Sequence, residues 1–137
     1  MKIFVGGEPI QELTSELHSI VNELNELVSD GFAIEVVSDT LASNYYIFFG
    51  SGQRYGQTFP GSSNYVSSNW GLFTVSTSPS QNIDGGHMYV DIFRADLAAQ
   101  KHLLREELTQ SLGLAKDSPI YPASIFQSSW TTTTEYA

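Results

Sequence analysis

The sequence predicts a single α+β domain in which a mixed, twisted sheet of about five strands carries one long helix and a second, later helix. Three observations predict it. Apolar residues recur at three- and four-residue spacings over residues 13–28, a second such stripe runs over residues 97–112, and five short runs rich in β-branched and aromatic residues are bounded by Gly, Ser, Asn or Pro. A chain of 137 residues can bury one core but not two, so residues 1–137 are read as one domain.

The first run, Ile3, Phe4 and Val5, ends at Gly6 and Gly7 as a strand ends in a turn. Pro9 suits the first turn of a helix. That helix carries Leu13, Leu17, Ile20, Val21, Leu24, Leu27 and Val28 on one stripe, with Glu12, Glu16, Glu23 and Glu26 on other faces, and Gly31 ends it. Residues 32–37 alternate as a second strand, and a connection of this length implies a parallel pair. Residues 44–49 are almost continuously apolar and aromatic, the pattern of a central strand covered on both faces. Residues 50–69 turn to Gly, Ser, Asn, Gln and Tyr and read as a long loop, a length that points to a functional segment. Residues 70–75 form a fourth strand, a break follows at 78–81, and residues 88–92 form a fifth after the flexible Asp84, Gly85, Gly86 and His87. Asp96 caps the second helix, whose stripe is Leu97, Leu104, Leu108 and Leu112 and whose stop is Gly113.

Charge and composition exclude several functions. Fifteen acidic against six basic side chains give a net charge of -9, which repels phosphate backbones and anionic lipid, so nucleic acid is not an expected partner. No stretch approaches the roughly 20 apolar residues of a membrane span. With no cysteine there are no disulfides, thiolate zinc sites or cysteine nucleophiles. The first five residues are too short for a signal core. The compartment stays open, and an exported or cell-envelope location is favoured only if a leader has been removed.

On the second helix, the leucine stripe faces one way while Glu106 and Gln110 project the other, with Glu107 at their flank. Zinc peptidases of the His-Glu-x-x-His type place two ligand histidines at i and i+4, with the intervening glutamate as general base toward a metal-bound water. The metzincin extension adds a glycine turn, a third histidine and a later Met-turn. Laid on this frame, Glu107 matches the catalytic glutamate and Gly113 the turn glycine. Glu106, Gln110 and Lys116 stand at the three histidine positions, and Ser124, Ile125 and Phe126 resemble a Met-turn with phenylalanine for methionine.

The run from Glu106 through Leu114, with Asp117, Ser118 and residues 121–126, resembles an uncharacterised bacterial family of zincin-like proteins catalogued as a domain of unknown function. The specific match is confined to this helix and the segment after it. The resemblance implies a zincin/metzincin-like fold with an active-site-like helix, Glu-Glu-x-Thr-Gln in place of His-Glu-x-x-His, and no assigned activity. It also implies a closing C-terminal helix; the expectation here is that the chain is truncated or its last segment replaced, with an apolar surface there that a homodimer contact would be one way to cover.

Zinc prefers imidazole or thiolate, an amide oxygen is a poor ligand and an ammonium repels the cation, so no metal and no cofactor is expected. Lys116 is expected to sit in the metal's place, paired with Glu106. Without a metal Glu107 has no activated water, and two carboxylates about 100° apart on a helix do not form an opposed glycosidase pair. The plainer alternative is that Glu106, Glu107 and Gln110 hydrogen-bond neighbouring backbone. His102 offers an i, i+4 pair with Glu106 but reads as a surface histidine, and His18 reads as solvent-facing. His87, at the start of the strand before the helix, falls where zincin folds set the edge strand over the cleft.

In the long loop Tyr55, Phe59, Tyr65 and Trp70 alternate with Gln53, Gln57, Asn64 and Asn69, flat faces and amides that suit a peptide or glycan. The leading expectation is a catalytically degenerate metalloprotease-like domain binding a peptide or cell-envelope component in the former active-site cleft. The alternatives are an active hydrolase using Glu107 with an atypical metal, and a structural or assembly module.

Overall fold

The computed structural model describes residues 1–27, 33–77 and 83–112. The predicted helix stop at Gly31, the break after Thr77, and everything from Gly113 onward, including Lys116 and the Met-turn-like segment, lie outside the described residues. The elements in order are β1 (Lys2–Gly7), α1 (Gln11–Leu27), β2 (Glu35–Val37), β3 (Tyr45–Gly50), α2 (Gly52–Thr58), β4 (Gly71–Thr77), β5 (Ile83–Asp91) and α3 (Leu97–Ser111). The architecture is α+β: a mixed five-stranded sheet with three helices. Among the described residues no helix is long and apolar enough to cross a membrane.

The sheet order is β2-β1-β3-β5-β4. β1 pairs in parallel with β2 and β3, β3 with β5, while β4 and β5 form the antiparallel pair. β3 is central, as its continuous apolar run predicts. Alternation divides its side chains between two cores. Tyr45, Ile47 and Phe49 join Ile3, Met88 and Val90 beneath α1 and α3, whereas Phe48 faces the other way with Tyr55 and Tyr89.

α1 buries Leu13, Leu17, Ile20, Val21 and Leu24, and each fully buried leucine contributes about 2 kcal/mol by leaving water. Leu27, predicted to continue the stripe, is 65% exposed. Here the amide of Asn25 substitutes for strand pairing: its Nδ2 donates to the Ile34 carbonyl at 2.9 Å and its Oδ1 accepts from Ile34 N at 2.8 Å. Across the same layer Arg105 of α3, 4% exposed, reaches Glu16 at 3.2 Å and also Glu23, tying the two helices together.

The long loop predicted over residues 50–69 is corrected by the structure, because it contains α2 and a 3₁₀ turn at Pro60–Ser62. Local propensity does not account for α2, since Gly52 and Gly56 both disfavour helix. Ser51 caps it, accepting from Arg54 N at 3.2 Å, and the buried Tyr55 anchors it to the sheet. A Cβ at Gly52 would lie 2.9 Å from Val66 Cβ, and one at Gly56 would lie 3.1 Å from Ser63 Cα, so both glycines serve the close approach of residues 62–66.

β1 ends at Gly7, with φ +78° and an added Cβ only 2.2 Å from the Phe49 carbonyl oxygen. The next residue's N–H donates to that same oxygen at 2.7 Å, so the backbone cannot retreat. Gly7→Ala is expected to cost about 2 kcal/mol, combining left-handed strain with a backbone clash. A fall in thermal midpoint of roughly 5–8 °C would register it.

Candidate functional site

α3 begins at Asp96, whose carboxylate accepts from Ala99 N at 2.9 Å. Gln100 secures the approach to the helix by donating to the carbonyls of Ala95 at 2.7 Å and Ile92 at 3.2 Å. Leu104 and Leu108 are fully buried, with Leu103 beside them. Leu97, predicted as part of the stripe, is 40% exposed because it stands at the helix start.

The partly exposed side of α3 forms a cleft with the start of β4. Leu103, Glu106 and Glu107 line one wall and Ser68, Asn69, Trp70 and Gly71 the other, enclosing about 550 Å³. Gly71 permits this close approach, since a Cβ there would lie 3.1 Å from Leu103 and 3.3 Å from Glu107 Cγ. Both Glu106 oxygens have partners on the same helix: Oε2 lies 2.9 Å from His102 Nε2, and Oε1 accepts from Gln110 Nε2 at 3.4 Å. His102 is 1% exposed, which corrects its reading as a surface histidine. His18 faces solvent as expected.

Behind the cleft, Ser111 Oγ donates to the Glu107 carbonyl at 2.6 Å and also meets the Tyr45 hydroxyl. Burial pushes the Tyr45 phenol well above its ordinary range, with the Ser111 bond opposing and the Glu107 charge adding. The phenol therefore stays neutral at physiological pH.

The donor set does not fit a catalytic zinc ion. Glu106 is oriented by His102 and Gln110, Gln110 offers only an amide, and among the described residues no group of three metal-ligating side chains converges.

Several sequence-nominated residues lie elsewhere. Tyr55 is fully buried on the opposite face of the sheet, stacked on Tyr89 with ring centroids 4.5 Å apart and joined through its hydroxyl to His87 Nδ1. His87 is in β5, which is an interior strand; among the described residues the edge on that side is β4, so His87 does not overhang the cleft. Phe59 stacks on the His87 ring with centroids 3.9 Å apart, and burial lowers the His87 pKa, favouring the neutral imidazole. Burial likewise lifts Tyr55 to about 12. Tyr65 is exposed but lines neither this cleft nor the cavity described next. Of the loop aromatics only Trp70, 43% exposed, reaches the cleft.

A second cavity, of about 630 Å³, opens at the carboxyl ends of β3 and β5; it takes in the nominated Gln53 and Gln57, while its wall of Asp91, Phe93 and Arg94 was not anticipated. Its organising pair is Asp91 and Arg94. The Asp91 side chain, 3% exposed, accepts from Phe93 N at 2.9 Å, Arg94 N at 2.8 Å and Arg94 Nε at 2.7 Å. Burial works to raise its pKa, but these bonds and the Arg94 charge outweigh burial and hold it below the usual carboxylate range. The rest of the guanidinium binds the carbonyls of Ser67 at 3.0 Å, Val66 at 2.7 Å and Asn69 at 3.1 Å, and stands 6.0 Å from the Trp70 ring centroid. An aspartate at a strand end three residues before an arginine is a legible turn signal, although the carbonyl partners are not.

One family model matches residues 1–136, and its description is a protein of unknown function, DUF2927. No curated protein and no solved structure matches the chain.

Proposed function

We propose, on the premise that the chain belongs to the DUF2927 family of proteins of unknown function, that it is a single catalytically degenerate metalloprotease-like domain, zincin-like in fold, that holds an extended peptide in the α3–β4 cleft. The observation that carries this reading is the one cavity shared by Glu106 and Glu107 of α3 and Trp70 and Gly71 at the head of β4. The fold lends support, since among the described residues β4 is an edge strand of the sheet and antiparallel to β5. An edge beside a cleft suits strand addition, in which main-chain hydrogen bonds give affinity and the cleft selects alternate side chains. Glu106, Gln110 and Lys116 at the three ligand positions argue for binding without hydrolysis. Glu107 retains the catalytic position but lacks ligand imidazoles around it.

Peptide arrays followed by titration of a hit against Trp fluorescence test this. Binding is expected to survive chelator, to leave the peptide intact by mass spectrometry, and to weaken about tenfold in Trp70→Ala and in Glu106→Ala. N-methylation of alternate backbone nitrogens in the peptide is expected to abolish it. Chelator-sensitive cleavage, or binding indifferent to both substitutions, would overturn the reading.

A further inference from the structure

We propose that the cavity at the carboxyl ends of β3 and β5 is a binding site for a neutral saccharide of two or three units. The inference is independent of the peptide reading, because this cavity lies beyond the α2 side of the sheet and shares no lining residue with the α3–β4 cleft.

Charge is the first discriminator. Among the described residues, the ionisable side chains in the lining are Asp91 and Arg94, and each is engaged by the other and by backbone groups. Neither is available to fix a phosphate, a carboxylate or an ammonium. The net charge of -9 further disfavours anionic sugars. What remains is an uncharged lining whose polar groups are amides and hydroxyls.

Those groups have the character that vicinal hydroxyls require. Gln53 and Gln57 stand one turn apart on α2, so their amides project from the same side of the helix. Both are exposed, and neither amide makes a hydrogen bond within the described residues. Each offers a donor and an acceptor to a diol. Ser51 and Ser67 add hydroxyls at the rim.

The ring of Phe93 supplies the apolar element. It is 64% exposed yet lines the cavity, and its backbone is held by the bond to Asp91. A flat aromatic face beside convergent amides presents a stacking platform for the C–H face of a pyranose. The volume of about 630 Å³ lies within the range of small-ligand sites.

The test is ¹⁵N-¹H NMR titration of the full chain with maltotriose, cellotriose and N,N′-diacetylchitobiose, each to 20-fold molar excess and beyond into the millimolar range. At least one sugar is expected to shift the amides of Ser51, Gln53, Gln57 and Phe93, with a dissociation constant about tenfold higher in Phe93→Ala and in Gln53→Ala. Both positions are exposed, so unchanged thermal midpoints will separate lost recognition from lost fold. No shift with any of the three sugars overturns the proposal. So do shifts that persist at full affinity in both variants, or a preference for a phosphorylated sugar over its neutral parent. Peptide binding at the α3–β4 cleft is unaffected by Phe93→Ala if the two sites are separate, so failure of one reading is visible apart from failure of the other.

Discussion

Tyr55→Ala is expected to destabilise the protein by roughly 3–5 kcal/mol, the cost of emptying a large aromatic site in a core. The thermal midpoint should fall by roughly 10–15 °C. Tyr55 has no solvent exposure, and its ring meets those of Phe48, Phe59, Tyr89 and His87 at centroid separations of 4.5 to 6.0 Å. It is also the residue that fastens α2 to the sheet, so its loss leaves a glycine-containing helix of seven residues without its anchor. Tyr55→Phe separates the ring from the hydroxyl. Keeping the ring and losing the hydroxyl's bonds to His87 and Ser62 should cost about 1–2 kcal/mol. Urea denaturation of both variants checks this, and equal losses would move the weight from packing to the hydroxyl's hydrogen bonds. A fall in ligand affinity in Tyr55→Ala would report unfolding, which is why recognition is better probed at Trp70 and Phe93.

The misplacement of Tyr55 shows where the sequence stops being legible. α1 is readable because its five buried apolar residues share a face of one helix, and β3 because a run of five aromatic and apolar residues, Tyr45 to Phe49, has no charged side to offer solvent. Such patterns are local. α2 is not readable, since its residues favour loop and its stability comes from packing Tyr55 on Phe48 of the preceding strand and on Tyr89, far along the chain. The same limit applies to the site. The pattern on α3 places Glu106 opposite Leu104 and Leu108 with Glu107 at its flank, but only the sheet order brings Trp70 and Gly71 to them. His102 reads as solvent-facing between Lys101 and a glutamate one turn on, yet that glutamate satisfies its Nε2 and makes burial tolerable. Leu27 and Leu97 fail for a further reason. They stand at helix ends, where the periodic stripe continues past the apolar surface available to cover it.

Asp91→Asn is expected to cost about 1.5 kcal/mol, because it removes the charge of a buried carboxylate from an arginine that is 34% exposed and keeps part of its solvation. The asparagine oxygen can still accept from the Phe93 and Arg94 amides, so the loss is chiefly the charge opposite Arg94 Nε. The sign of the pH dependence follows from the depressed pKa of Asp91. A carboxylate whose folded pKa lies below its unfolded value contributes fully above the unfolded pKa, about 3.9, and its contribution is lost as pH falls through the folded pKa. The stability gap between wild type and Asp91→Asn should therefore be constant from about pH 7 to 5 and narrow steadily below about pH 4. Urea midpoints measured across that range give the answer, and a gap that stays level at low pH would mean the charge is not the source. Because Arg94 holds the carbonyls of Val66, Ser67 and Asn69, a loosened guanidinium releases the segment that walls both cavities. Val66 and Ser67 face one cavity, Ser68 and Asn69 the other. Faster amide hydrogen exchange over residues 66–70 in Asp91→Asn, with peptide and saccharide binding weakened together, is the expected result. Weakening of only one would show that each wall is held independently of this arginine.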